Sequence, residues 1–466
     1  MEEIELNNDE LRSTTVSKLD GDPKVGWLCN KNGLLLKTYG WVVQNAIGII
    51  LLIHGLKSHT RLTFMRINLK MPNNNEGIIV DTDNYYIYKD SWIEKFNQNG
   101  YSVYALDFQG HGESQSLGNV RGDFNYYDDL VDDVIQYMNQ IQDEIENDNQ
   151  TNGDISNDSQ MNDESYIVPT KKKRLPMYII GHSMGGSIAI RILQLLQKEK
   201  KNSIQSGDAN NYKTCKAILD NSTNINEMDN DMYYMNNSNG YGSDNSCAST
   251  SATINDIASG KDKGCYNYLD NLNIKGCVTL SCMLRLKTPF DSGNKSFKYF
   301  YLPITNFLSR VAPHTLISSE SHYKRSEYVA NICKYDKFRN NNGIKFKCMS
   351  ELMKATITLN GDINYMPKNI PILFVHSRDD NICCYKGTVL FHSKAKVKKN
   401  NIHIVDDMGH AITSESGNEE LLKTIIDWIS DVRSHGEYED EEEEEDEDED
   451  GICFNNAYIN SCFVFL

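Results

Sequence analysis
The chain has 466 residues, net charge −18 and mean hydropathy −0.54, with 39% hydrophobic residues. Thirteen carboxylates in residues 437–450 supply most of that charge, so the remainder stands at −5. An acidic body offers no footprint for a nucleic-acid backbone, and the longest apolar run, Ala46 to Ile53, is too short to span a bilayer.

The N-terminus, Met1-Glu2-Glu3-Ile4, is polar and acidic, which excludes a signal peptide, and Glu2 excludes myristoylation. Residues 1–24 are an N-terminal extension. Asn32-Gly33 is a hairpin turn signal, with Leu34 to Trp41 as its return strand. Ala46 to Ile53 is unbroken and apolar, as expected of a strand covered on both faces. It runs into His54-Gly55-Leu56-Lys57-Ser58-His59, where His54 is expected to prop the loop and not to act as a base. Trp92 to Gly100 is a helix end closed by glycine, and Tyr101 to Leu106 is the next strand. The turn Asp107-Phe108-Gln109-Gly110-His111-Gly112-Glu113-Ser114 follows it and is expected to be structural.

Tyr126 to Ile145 is amphipathic at helical spacing, with Leu130, Val134, Tyr137, Met138 and Ile141 on one face. Residues 142–172 and 200–263 are rich in Asn, Asp, Ser and Gly, and are expected to be low-complexity insertions without a packed core. The first ends in Lys171 to Arg174. That basic run is compatible with nuclear localisation, and more simply with a solvated approach to the next strand.

Between the insertions lies Met177-Tyr-Ile-Ile-Gly181-His182-Ser183-Met184-Gly185-Gly186, followed by Ile188 to Leu193. This is the nucleophile-elbow pattern, a strand turning sharply into a helix with a serine at the apex. The glycines two places either side are needed because a Cβ there would clash on so tight a turn. Alone, Gly-x-Ser-x-Gly is weak; the strand before and helix after strengthen it.

Leu272 to Cys282 returns to strand character. Residues 284–367 then break the alternation. Phe297, Tyr299, Phe300, Tyr301, Leu302, Ile304, Phe307 and Leu308 suit a helical lid over the sheet edge. The alternative is a subdomain in which they are simply core. Ile370 to His376 is another buried strand, ending in His376-Ser377-Arg378-Asp379-Asp380. Asn401 to Val405 is the last strand, followed by Gly409-His410, and Glu419 to Val432 is a C-terminal amphipathic helix. Residues 434–466 form an acidic tail expected to be disordered. Twelve cysteines show no zinc-type spacing and fit reduced thiols in a cytoplasmic protein, with Cys277 and Cys282 buried and Cys383-Cys384 in a loop.

His54-Gly55, Asp107-x-x-Gly110-His111-Gly112-x-Ser114, Gly181-His-Ser-Met-Gly-Gly186, Asp380 and Gly409-His410 resemble the α/β-hydrolase family. Within it they resemble the monoacylglycerol lipase and lysophospholipase group, over roughly residues 25–433 apart from the insertions. The Asn-rich insertions and acidic tail resemble the malaria-parasite lysophospholipases of the PST-A type. The resemblance implies an α/β fold with a mostly parallel central sheet, helices on both faces and a helical lid. It implies Ser183, Asp380 and His410 as a catalytic triad, in the chain order this fold requires. The Leu56 and Met184 backbone amides are the implied oxyanion donors, with no metal and no cofactor. The implied substrate is a lysophospholipid or monoacylglycerol, with transient contact of the lid with a membrane surface. Three departures stand out: Lys57-Ser58 replaces the Gly-Glu common in the first loop, Ser377 replaces glycine in the acid loop, and that loop carries the adjacent aspartates Asp379 and Asp380. The His-Gly-x-x-Asp spacing selects Asp380 over Asp379. The rival functions are a carboxylesterase or thioesterase for short acyl groups, a transacylase, and a non-catalytic scaffold.

Overall fold
The computed structural model describes residues 19–70, 78–79, 84–153, 174–206, 272–287, 297–317, 326–397 and 400–449. Most of both expected insertions, and the tail beyond 449, lie outside these residues. Two compact units divide the chain. The first comprises 1–194 and 271–466, and the described part of the second, 195–270, is the end of one helix.

Eight strands form the main sheet: β1 (Lys24–Cys29), β2 (Leu35–Trp41), β3 (Gly48–Ile53), β4 (Tyr101–Leu106), β5 (Met177–His182), β6 (Ile274–Leu280), β7 (Ile372–Ser377) and β8 (Asn400–Val405). Their spatial order is β1-β2-β4-β3-β5-β6-β7-β8. β1 and β2 pair antiparallel, as do β2 and β4, and from β4 onward every pairing is parallel. Every residue of β3, β4, β5 and β7 is buried. That explains their continuous apolar runs, since a central parallel strand is covered on both faces and has no polar side to alternate. Each fully buried Ile or Leu of β3 stabilises the fold by about 1.5–3 kcal/mol.

The helices are α1 (Thr60–Phe64), α2 (Trp92–Gln98), α3 (Tyr127–Gly153), α4 (Met184–Ser206), α5 (Leu302–Val311), α6 (Glu327–Tyr335), α7 (Phe346–Gly361), α8 (Tyr385–Lys394) and α9 (Asn418–Glu449). α2 begins at a Ser91 cap that accepts from the Glu94 amide, while Glu94 accepts from the Asp90 amide. This reciprocal pair satisfies two otherwise orphan donors. α3 runs past the expected insertion boundary at 142. Gln142 is buried there and donates to the carbonyls of Leu175 and Leu272, so this stretch belongs to the core. α9 also continues beyond Val432, and its backbone is helical through the acidic run to Glu449.

Residues 284–367, expected to be a lid, contain α5, α6 and α7 and a short pairing of Leu316–Ile317 with Ile344–Lys345. α5 and the turn before it expose Tyr299, Phe300, Ile304, Phe307 and Val311, so these side chains are not core. α6 instead buries Val329 and Ile332. No helix among the described residues is long and apolar enough to cross a membrane.

Candidate active site
The parallel strands deliver four loops to one edge of the sheet, outside their carboxyl ends, where open α/β sheets bind ligands. The loop after β3 carries Leu56, that after β5 carries Ser183, that after β7 carries Asp380 and that after β8 carries His410.

Ser183 sits at the strand–helix turn with φ 55°, the left-handed region that an L-residue enters only under constraint. The constraint is local and backbone-made: Ser183 N–H donates to Leu280 O at 2.8 Å, and its carbonyl accepts from Met283 N at 3.2 Å. A Cβ on Gly181 would lie 2.3 Å from Gly185 O, and one on Gly185 would lie 2.2 Å from Ile53 O. Both positions therefore admit only glycine, and the reason is backbone crowding.

His410 Nδ1–H donates to Asp380 Oδ2 at 2.8 Å, which leaves Nε2 to accept from the Ser183 hydroxyl, also at 2.8 Å. Asp380 is fully buried, and burial alone would raise its pKa. The neighbouring His410 and His376 and their hydrogen bonds override this and hold the carboxyl well below the usual carboxylate range. Its other oxygen, Oδ1, accepts from the amides of Ile382 and Cys383 at 2.8 and 2.9 Å. Asp379 faces elsewhere and accepts from the Asp407 amide. The serine, acid and histidine selected from the sequence thus stand in one hydrogen-bonded line. In that geometry an imidazole can take the hydroxyl proton and a fixed carboxylate can stabilise the imidazolium.

Several participants were not singled out from sequence. His376 is buried at the end of β7 and approaches Asp380 Oδ2 at 3.2 Å. His182 Nε2–H donates to the His410 carbonyl at 2.9 Å and fixes the loop that carries His410. Burial, with His410 nearby, pushes His182 down to about 4, so it is a neutral prop. The Cys383 thiol is buried within hydrogen-bonding reach of Ser183, and burial pushes it well up, which keeps it protonated. His182 lay in plain view inside the elbow motif; nothing in the sequence marks Cys383 as a neighbour of the serine.

The loop after β3 places Gly55 and Leu56 beside Ser183 in the wall of a cavity of about 50 Å³. Met184, whose amide follows Ser183, opens α4. Val329, Ile332 and Cys333 of α6 also line the cavity. His54 is buried, and its Nε2 accepts from the Phe108 amide at 3.1 Å. Nδ1–H therefore donates to Gly55 O at 2.8 Å, and burial lowers its pKa to about 3. A neutral imidazole with both nitrogens engaged is a loop prop. Asp107 has a matching role, accepting from the amides of Thr60 and Glu113 and from the Tyr39 hydroxyl.

One set of potential metal donors occurs among the described residues. Asp380, Cys383 and His410 bring ligand atoms within 4.8 Å of one another. Two of them already saturate each other, so an ion there would displace the His410–Asp380 hydrogen bond.

The family described as serine aminopeptidase, S33, matches residues 82–152 and 266–417. That match includes Asp380 and His410 and leaves Ser183 and Leu56 outside. The fold is that of the α/β-hydrolases. A soluble variant of monoglyceride lipase from Saccharomyces cerevisiae, in complex with a substrate analog, is similar at 15% identity and TM-score 0.51. That alignment covers 88% of this chain and 96% of that one. A thermostable carboxyl esterase from Bacillus coagulans, in complex with glycerol, is similar at 14% identity and TM-score 0.50, covering 88% and 98%. The monoacylglycerol lipase of Paleococcus ferrophilus is similar at 16% identity and TM-score 0.48, covering 85% and 99%. No curated protein sequence matches the chain.

Proposed function
We propose that this α/β-hydrolase-fold chain, carrying the S33 family match, is a serine hydrolase that cleaves the acyl ester of a lysophospholipid or monoacylglycerol. The observation that carries the reading is the line Ser183–His410–Asp380, with 2.8 Å at each link. Ser183 Oγ attacks the ester carbonyl while His410 Nε2 takes its proton. The amides of Leu56 and Met184 hold the developing oxyanion, each worth about 3 kcal/mol of transition-state stabilisation. His410 then protonates the leaving alcohol. Water, deprotonated by the same histidine, attacks the acyl-enzyme and releases the fatty acid. Asp380 stays ionised throughout and keeps the imidazole in the tautomer with Nδ1–H.

The choice of a lipid substrate rests on the resemblance in sequence and on the exposed apolar face of the cap. Tyr299, Phe300, Ile304 and Phe307 suit contact with a lipid surface, and a failure of the protein to float with lipid vesicles would remove that support. One observation favours a second reading. The cavity beside Ser183 measures about 50 Å³, a size that favours a short acyl group. A carboxylesterase for small esters is therefore the alternative.

Purified protein and its Ser183→Ala variant, assayed against lysophosphatidylcholine, monoacylglycerol, long-chain acyl-CoA and short p-nitrophenyl esters, separate these readings. Fatty acid released from either lipid by the wild type alone supports the proposal. Serine-dependent turnover of short esters alone establishes the alternative. Well-folded protein that neither turns over any ester nor reacts with a fluorophosphonate is a scaffold.

A further inference from the structure
The oxyanion loop is held in place from the cap, and one cap residue makes the hold. The loop after β3 turns through Lys57 at φ 65°, a left-handed conformation that strains a lysine. The turn's own hydrogen bond, Ser58 N–H to Gly55 O, is long at 3.3 Å. The direction of the Leu56 amide, between Gly55 and Lys57, depends on this turn keeping its shape.

Two contacts from residues 336–340 secure it. Asn340 N–H donates to Lys57 O at 3.1 Å. His59 caps α1 by accepting the Leu62 amide at Nδ1, so its proton lies on Nε2 and is donated to Asp336, 3.1 Å from Oδ2. The Tyr86 hydroxyl donates to the same Oδ2 at 2.8 Å. Asp336 Oδ1 accepts from the amides of Phe338 and Arg339, both at 2.8 Å. That second set shapes the turn that presents Asn340 to Lys57. Lys57, His59, Asp336 and Asn340 are all buried. Burial alone would raise the Asp336 carboxyl, but His59, Tyr86 and the turn amides hold it below its usual range.

We propose that Asp336 is a positioning residue for the oxyanion hole: through His59 and Asn340 it holds the strained turn that aims the Leu56 amide at the reacting carbonyl. The inference rests on the serine-hydrolase reading above. It also makes the 336–340 end of the cap a fixed part of the catalytic frame. α6, immediately before it, walls the cavity, so the substrate wall and the oxyanion donor share one support.

The test uses the full chain and a soluble short ester. Asp336→Asn keeps the size of the side chain and removes its charge and one acceptor. kcat is expected to fall roughly 30- to 100-fold with KM nearly unchanged, as for a donor displaced by a fraction of an ångström. Affinity for a boronic acid analogue of the tetrahedral intermediate falls in parallel. Lys57→Gly, which relaxes the left-handed turn, is expected to restore about tenfold of that kcat in the double variant. If Asp336→Asn does not fold, Tyr86→Phe, alone and with Lys57→Gly, is read the same way with a smaller loss. Folded protein with unchanged kcat overturns the proposal. So does a loss that Lys57→Gly leaves unrepaired. Wild-type protein that fails to react with a fluorophosphonate at Ser183 overturns the underlying enzyme reading instead.

Discussion

A single methyl group probes how closely Ser183 is seated. A Cβ on Gly55 would lie 3.0 Å from Ser183 Cβ and 3.1 Å from His182 Nδ1. Neither neighbour can yield, since Ser183 is locked by backbone hydrogen bonds and His182 is tied to the His410 carbonyl. Gly55→Ala is therefore expected to lower kcat on a soluble ester by roughly 10- to 100-fold, the scale of a small misplacement. Stability should fall by only about 1–2 kcal/mol, and stopped-flow kinetics alongside thermal melting measures both. A kcat within twofold of wild type would mean that the loop is looser than its packing implies. At this scale the sequence was most informative where chemistry imposes an order. Ser183, Asp380 and His410 could be picked because strand ends in a fixed order carry them, and the loop spacing separated Asp380 from Asp379. His59 and Asp336 could not be paired, because 277 residues separate them and Asp336 lies in no motif.

Elements carry a different kind of information. The central strands were legible because burial on both faces forces continuous β-branched and aliphatic runs. Helix ends were not. α3 extends to Gly153 and α4 to Ser206 through polar residues that show no apolar stripe. The apolar density before and within α5 suggested either lid or core, and only the coordinates show which side chains face outward. α3 also contains a polar residue that its amphipathic face does not announce. Asp133 is buried, and burial pushes its carboxyl up to about 7. Gln109 donates to it at 3.1 Å, while Gln109 Oε1 has no partner. In the unfolded chain the same carboxyl titrates near 3.9. The folded state therefore holds the proton to higher pH, so this group's contribution to stability is full below about pH 4 and is lost as pH rises through about 7. Asp133→Asn has nothing to ionise and can offer an amide proton to Gln109 Oε1. It is expected to melt close to wild type at pH 4 and to be more stable at pH 8 by about 2 kcal/mol, about half of what the full shift allows. Denaturant titrations at the two pH values measure the difference. An equal effect at both would show that Asp133 is not titrating in the folded protein.

For the whole molecule, the question is how much of the chain the Ser183–His410–Asp380 line needs. The S33 match stops at residue 417, at the start of α9. Yet Leu421, Leu422, Ile425, Trp428, Ile429 and Val432 are buried in the same core cluster as Tyr178, Val278 and Leu280 of the sheet. The Trp428 ring packs over Gly276, where a Cβ would lie 3.4 Å from it. The first turns of α9 are therefore part of the wall behind β5 and β6, the strands on which Ser183 depends. The acidic run beyond them carries most of the net charge. A chain ending after His435 is expected to keep its melting temperature and its Ser183-dependent turnover while losing most of its net negative charge. A chain ending after Gly417 loses six buried apolar side chains. At roughly 1.5–3 kcal/mol each, that loss of about 9–18 kcal/mol is as large as the whole ~5–15 kcal/mol stability of an ordinary domain. It should be insoluble or unable to react with a fluorophosphonate. If the shorter chain reacts as fast as the full one, α9 is an appendage and the core closes at the end of the family match. If the chain ending after His435 loses turnover while still folded, the acidic run acts on the site by long-range charge, and raising the ionic strength, which shortens the Debye length from about 30 Å at about 0.01 M to about 3 Å at about 1 M, should then change the full chain's rate as well.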